Sequence, residues 1–337
     1  MKIKLLLILF LVPIMVIAQD IHFSQFFNTA FFTNPGLAGN TENSWRFSGL
    51  YKQQWTSISS NPYKTIMSSA DGIIYKDKIG AGLMFYSDKA GDAGMGITQV
   101  DLSIAPRIRL NAANQLILGL QAGFAQRSIS INNLTWDSQF DGSGFNQSYS
   151  NNEIASVSNF NYADFSSGLI WKYKSNQLKF ETGISAYHLT SPDFSYYSTE
   201  GENLFRKMIV QTKAEITPDK NKNVTLIPMI LYMDQGPSSE MNFGMLVKYD
   251  LGMNSIYTGL KTSSALYLGL VYRNKDALIV STGYDYIKKA LVTFSYDINV
   301  SKLRSVSHLR GGPELSIIYY LSKKNVTVKT VPKSSFQ

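Results

Sequence analysis

The chain has 337 residues, a formal net charge of +8, 17% charged residues and no cysteine, so disulfide frameworks and thiolate catalysis are excluded. Tyr 20, Phe 19 and Gly 24 are high for so few charges, which fits sheets joined by many turns. The lysines are scattered and form no patch, so nucleic-acid binding is not expected.

The chain opens Met1-Lys2-Ile3-Lys4, runs apolar from Leu5 to Ile17 and closes on Ala18. A basic start, a short apolar run and a small residue predict a cleaved signal peptide over 1–18, since the run is too short for a membrane helix. Net charge falls to +6 once Lys2 and Lys4 leave. Residues 19–44 carry Phe23, Phe26, Phe27, Phe31 and Phe32 and the turn Asn34-Pro35-Gly36, without alternation. They are expected to be a plug or lid on the periplasmic mouth, or an ordered arm packed under a barrel. Phe23, Gln25, Phe26, Asn34 and Pro35 are its candidate contact residues.

From residue 45 the dominant signal has period two. Val100, Leu102, Ile104, Ile108 and Leu110 alternate with Asp101, Ser103, Arg107 and Arg109. Leu116, Leu118, Leu120 and Phe124 alternate with Gln115, Gly119, Gln121 and Arg127, and Val292, Phe294 and Tyr296 with Thr293, Ser295 and Asp297. Strict alternation is strand patterning. Soluble-sandwich strands usually run about five or six residues, whereas several segments here have the roughly 9–11 residues that cross hydrocarbon. One apolar face opposite one polar, Gly-bearing face is the lipid-out, lumen-in pattern.

The expected fold is an all-β, antiparallel transmembrane outer-membrane β-barrel over 45–321. Strands are predicted at 45–55, 63–74, 78–87, 96–110, 115–130, 161–174, 177–189, 204–217, 223–234, 239–250, 265–273, 277–286, 290–298 and 313–321. That makes about 14, with both ends periplasmic. The connection 251–264 is long on the side where short turns are expected. A strand over Ser255–Thr262 would shift the count, leaving 12 or 16 open. A Lys-rich tail, 322–337, follows, either disordered or a contact for a periplasmic partner.

Ordered short segments resemble the PorP/SprF family of Bacteroidetes outer-membrane proteins. They are Gln19-Asp20-Ile21-His22-Phe23-Ser24-Gln25-Phe26, Asn34-Pro35-Gly36-Leu37-Ala38-Gly39, Tyr51-Lys52-Gln53-Gln54-Trp55 and Ser69-Ala70-Asp71. Leu134-Thr135-Trp136, Tyr187-His188-Leu189, Tyr272-Arg273-Asn274-Lys275-Asp276-Ala277, Ser295-Tyr296-Asp297-Ile298 and Gly312-Pro313-Glu314-Leu315 continue the series. The resemblance implies a component of the type IX secretion and gliding machinery. Such proteins are thought to hold the C-terminal sorting domain of a secreted, adhesin-like cargo at the cell surface, and some link to periplasmic or peptidoglycan-associated components.

No motif carries catalysis. His22, His188 and His308 are the only histidines, and neither G-x-S-x-G nor H-E-x-x-H occurs. Asp137–Gly144 loosely resembles a calcium loop but lacks its order of oxygen ligands, so a polar surface loop is expected. No cofactor or metal is expected, and the chain is read as a non-enzyme. The lumen-side charges Arg46, Arg107, Arg109, Arg127, Glu181 and Asp297, with Lys52, Asp101, Lys172, Lys179 and Asp285, read as an internal ion-pair network. A porin would use the same charges for selectivity. Leu134, Trp136, Phe140, Phe145 and Tyr149 in the long outer loop are the candidate partner contacts. The rival reading is a passive porin or hydrophobic-substrate channel.

Overall fold

The structure is a computed structural model. It describes residues 20–42, 44–57, 61–91, 93–130, 134, 136–146, 148–149, 159–194, 203–218, 223–252, 264–302 and 304–321. The expected signal peptide, the Lys-rich tail and Ser255–Thr262 lie outside them.

Fourteen strands follow in chain order: β1 (Trp45–Gln54), β2 (Tyr63–Tyr75), β3 (Ile79–Ala90), β4 (Met95–Arg109), β5 (Asn114–Ser128), β6 (Asn159–Lys174), β7 (Leu178–Tyr187), β8 (Lys207–Ile216), β9 (Val224–Gln235), β10 (Ser238–Asp250), β11 (Ala265–Arg273), β12 (Ala277–Tyr286), β13 (Ala290–Asn299) and β14 (Arg310–Leu321). Each pairs antiparallel with its neighbours in sequence, and β1 closes on β14 from Trp45↔Leu321 to Lys52↔Glu314. Closure leaves the barrel no open edge, the condition for placing a sheet in hydrocarbon. Among the described residues no helix is long and apolar enough to cross a membrane. β11 and β12 match the alternation without error, and β14 begins three residues early. β10 and β11 pair directly from Asp250↔Ala265, so the barrel has 14 strands rather than 12 or 16.

The two faces divide as the alternation requires. Leu102, Ile104, Leu118, Leu120, Phe124, Leu268 and Phe294 point outward and are exposed. Asp101, Ser103, Gln121, Thr293, Ser295 and Asp297 point inward and are buried. An apolar exposed face over a polar buried one inverts the water-soluble arrangement and suits a lipid surround.

Trp45 and Leu321 mark one end, where tight connections also lie at 76–78, 110–113, 175–177 and 287–289. The connection 251–264 lies at this end too. The opposite end carries 55–62, 129–158, 188–206 and 300–309, but also two tight connections, 236–237 and 274–276. Gly236 takes φ 57° there, the left-handed conformation a two-residue hairpin needs.

The expected plug-or-arm segment lies inside the lumen and runs most of its length. Asp20 sits beside Lys207 and Gln235, at the long-loop ends of β8 and β9. Asn40 reaches Glu181 and Lys172 near the tight-turn end, and Ser44 then donates to Leu321 O as the chain enters β1. The arm lies so close to β5 and β6 that a Cβ on Gly119 would run into the backbone of Pro35 and Gly36, and one on Gly168 into Asn34. Gly119→Ala should therefore cost about 1–3 kcal/mol of stability through overpacking. Gly49→Ala, where nothing stands within 4 Å, is the matched control and should leave the melting transition in place. Equal melting of both variants would contradict the close approach.

Candidate functional site in the occupied lumen and the outer loops

The arm's aromatics divide between two apolar clusters. Phe23, Phe31, Phe32 and Leu37 pack with Met67, Met84, Tyr86, Ile117 and Ile170. Phe26 packs with Tyr187, Ile209, Met229, Leu231, Val271 and Ile279 on the other side. Asn34 caps the 3-10 turn Pro35–Leu37, accepting from Gly36 N at 2.9 Å, while its amide donates to Ile184 O at 3.0 Å. Proline suits the first position of such a turn because the missing N–H has no helical partner there.

Polar anchoring is denser. Glu314 accepts the amides of Ser24 and Gln25, each at 2.8 Å. The fully buried Gln25 donates to Glu314 O and Ser295 Oγ and accepts from Ser316 and Asn28. Ser24 Oγ donates to Asp297 at 2.8 Å and accepts from Arg273 at 3.0 Å. Arg273 is buried, with nitrogens 3.1 Å from Asp297, 3.1 Å from Asp276 and 3.5 Å from Glu240. Lys52 donates to His22 O at 2.8 Å.

The lumen charges expected from the sequence fall into place unevenly. Arg46 grips Asp71 through two 2.8 Å bonds, and Asp71 also accepts Gly39 N at 2.7 Å. Arg107 reaches Ala38 O at 3.4 Å. Arg127 stacks on Phe194 at 3.9 Å, Glu181 accepts from Asn40 at 2.7 Å, and Asp297 holds Ser24. Arg109 shares their parity but is exposed at the end of β4 and stands outside the buried network. Arg273, Glu314, Asp71, Asp20 and Asp164 were not among the expected network residues. Parity alone would have found Glu314, which shares a face with the polar Ser316.

His188, one of the three histidines, stands between carboxylates. Its Nε2 is 2.6 Å from Asp20 and its Nδ1 2.9 Å from Asp164, and Lys207 also donates to Asp20 at 3.2 Å. Burial alone would lower the imidazole's affinity for a proton. The neighbouring carboxylates of Asp20 and Asp164 reverse that, raising its pKa to about 9. A raised folded-state value stabilises fully below the ordinary value near 6.5 and is lost as pH rises through about 9. Melting temperature should therefore fall between pH 6.5 and about 9 more steeply in the native chain than in His188→Gln. Parallel pH profiles would refute this linkage.

Loop side chains pack at the long-loop end. Phe194 lies under Arg127, and Leu204 packs with Ala125 and Tyr162. In the loop between β5 and β6, Leu134 and Trp136 are half-buried. Phe140 and Phe145 form an isolated bridge with rings 5.2 Å apart, yet are 50% and 54% exposed, and Tyr149 is 49% exposed. Buried Gln139 ties this loop by accepting Trp136 N and donating to Tyr149 O. Asp141 accepts from Ser143 and Gly144 in its own turn, as a polar surface loop would.

These features define an outer-membrane β-barrel of 14 strands whose lumen is occupied by its own N-terminal segment. The model of the type IX secretion system membrane protein PorP/SprF family matches residues 16–319, and the chain belongs to that family. The TodX deltaS2S3 mutant monoaromatic hydrocarbon channel is similar in fold, with a TM-score of 0.51 and 10% identity, covering 88% of this chain and 94% of that one. A Pseudomonas aeruginosa FadL homologue gives a TM-score of 0.45 and 11% identity over 87% of this chain and 94% of its own. At such identity the likeness extends to the fold alone. No curated protein matches the chain.

Proposed function

We propose that this outer-membrane component of the type IX secretion and gliding machinery binds the C-terminal sorting domain of a secreted, adhesin-like protein and anchors it at the cell surface. The tight-turn end, with the barrel's chain ends, faces the periplasm and its secretion components. The long-loop end faces outward. The observation that carries the reading is an arm filling the lumen beneath exposed loop aromatics, in a member of a secretion family. An occupied lumen disfavours passage of solutes and leaves the loops as the working surface. Exposed aromatics on a tied loop supply rigid apolar contact area at low entropic cost, the usual make-up of an interface hot spot.

Replacing Phe140 and Phe145 together by Ser should weaken capture of the cargo's C-terminal domain by roughly 30-fold or more, the size of a hot-spot loss. The measurement is pull-down and titration with purified domain against chain in nanodiscs. Unchanged capture would move the contact elsewhere on the barrel. Absence of any capture, with steady conductance from the intact chain, would favour the porin reading.

A further inference from the structure

The strand β6 is paired along its whole length on one side only. β5 accompanies it from Asn159↔Ser128 to Tyr173↔Asn114, whereas β7 accompanies only Ser167–Lys174. Beyond that pairing Leu189 donates to Phe165 O at 2.9 Å, and the chain leaves the sheet there, with left-handed φ at His188 and Ser191. This bond fixes the direction of the remaining backbone groups. In an antiparallel ladder successive residues turn their N–H and C=O to alternate sides. Ala163, Asn161 and Asn159 therefore turn theirs away from β5, as Phe165 does. Among the described residues nothing bonds those groups.

Position makes an open edge tolerable here. The outward side chains of β5 and β6 are apolar up to Phe124, beside Ala163. Beyond it they are polar, with Gln126 beside Asn161 and Ser128 beside Asn159. The edge thus stands at and above the border of the apolar band, where water reaches the backbone, whereas an unpaired edge inside hydrocarbon is not tolerated. Protein edges are commonly blunted by Lys, Pro or a bulge. Asn159–Ala163 has no Lys, Arg, Pro or Gly, and its register with β5 is unbroken. Its inward side chains, Phe160 and Tyr162, pack with Phe194 and Leu204, which holds the strand in place.

We propose that Asn159–Ala163 receives an extended strand of the cargo's C-terminal domain, which adds to the wall beside β6 where β7 has ended. The proposal rests on the cargo reading and names how the domain is held. Continuity favours this occupant: the edge begins where the loop bearing the exposed Phe140 and Phe145 ends, so one bound domain touches both. In strand addition the backbone supplies the hydrogen bonds and alternate side chains the selection. The incoming strand should be apolar toward Phe160 and Tyr162 and polar beside Asn159 and Asn161.

The test uses the mature full chain in lipid nanodiscs and the purified C-terminal domain of an adhesin-like protein secreted by the same cell. Amide exchange is read residue by residue. In the free chain Asn161 and Ala163 should exchange fast, and Tyr162 and Asp164, which turn toward β5, slowly. Bound domain should slow the first pair at least tenfold. Ala163→Pro removes an N–H that no strand of the barrel uses, a change an edge strand accepts. It should keep the heat-modifiable gel mobility of a folded barrel and bind the domain roughly tenfold more weakly, while Ala163→Val, which keeps the N–H, should bind like the native chain. If the proline variant does not fold, the exchange pattern decides. Slow exchange of Asn161 and Ala163 in the free chain would show the edge already covered and overturn the proposal. Capture of the domain without slowing those amides would also overturn it and leave the cargo reading standing, whereas no capture at all would remove both.

Discussion

Deleting residues 20–42 should turn a silent barrel into a conducting one. Barrels of about 8 strands are filled by their own side chains, whereas those of 16–18 leave an aqueous channel. A 14-stranded barrel lies between, and here the added filling is the arm. Removing it bares Asp297, Glu314, Asp71, Arg46 and Arg273, which water and ions solvate readily. It also bares Met67, Ile117 and Ile170 on one side and Ile227, Met229 and Leu231 on the other, at a cost in stability. The barrel should survive that cost, because its backbone ladders close strand to strand without the arm. In planar bilayers the intact mature chain should give no unitary steps and the deletion should give discrete ones. Steady conductance from the intact chain, unchanged by the deletion, would defeat the occupied-lumen reading and revive the porin.

The barrel was legible because its strands must alternate between lipid and water. Leu102 beside Ser103, or Phe294 beside Ser295, leaves little room for another reading. Parity also placed Asp297, Arg46 and Arg127 on the lumen side. It failed where the arm supplies a second apolar surface. On β9 the inward residues Ile227, Met229 and Leu231 are apolar because they face Phe26, so the strand is apolar on both sides. On β11 the inward Val271 hides the parity of Arg273 in the same way. The path of residues 20–42 was invisible for a related reason. A segment held by Gln25, Asn34 and three short 3-10 turns has no period, and its contacts lie up to 291 residues away in sequence. The loop aromatics were readable as a group. Their division was not, because half-burial of Trp136 and exposure of Phe140 depend on how Gln139 ties the loop.

Arg273→Ala should be the most destabilising single substitution in the lumen. Arg273 is 1% exposed, and its guanidinium binds Asp297, Asp276 and Ser24, with Glu240 at 3.5 Å. Removing it leaves Asp297 buried without its strongest partner, a situation that costs about 3–5 kcal/mol. Arg273→Lys should recover little, since one ammonium has no planar fork to reach Asp297, Asp276 and Ser24 together. Adding Asp297→Asn to Arg273→Ala removes the orphaned charge, so the double variant should melt above the single one. Arg273→Ala also removes one of the three hydrogen bonds that hold Ser24, leaving those to Asp297 and Glu314, so the arm should loosen before the barrel melts. Proteolysis near residues 20–25 should rise at temperatures where the heat-modifiable barrel band persists. A loss of the barrel band with no earlier cleavage would show that Arg273 braces the wall and leaves the arm's hold to Glu314 and Gln25.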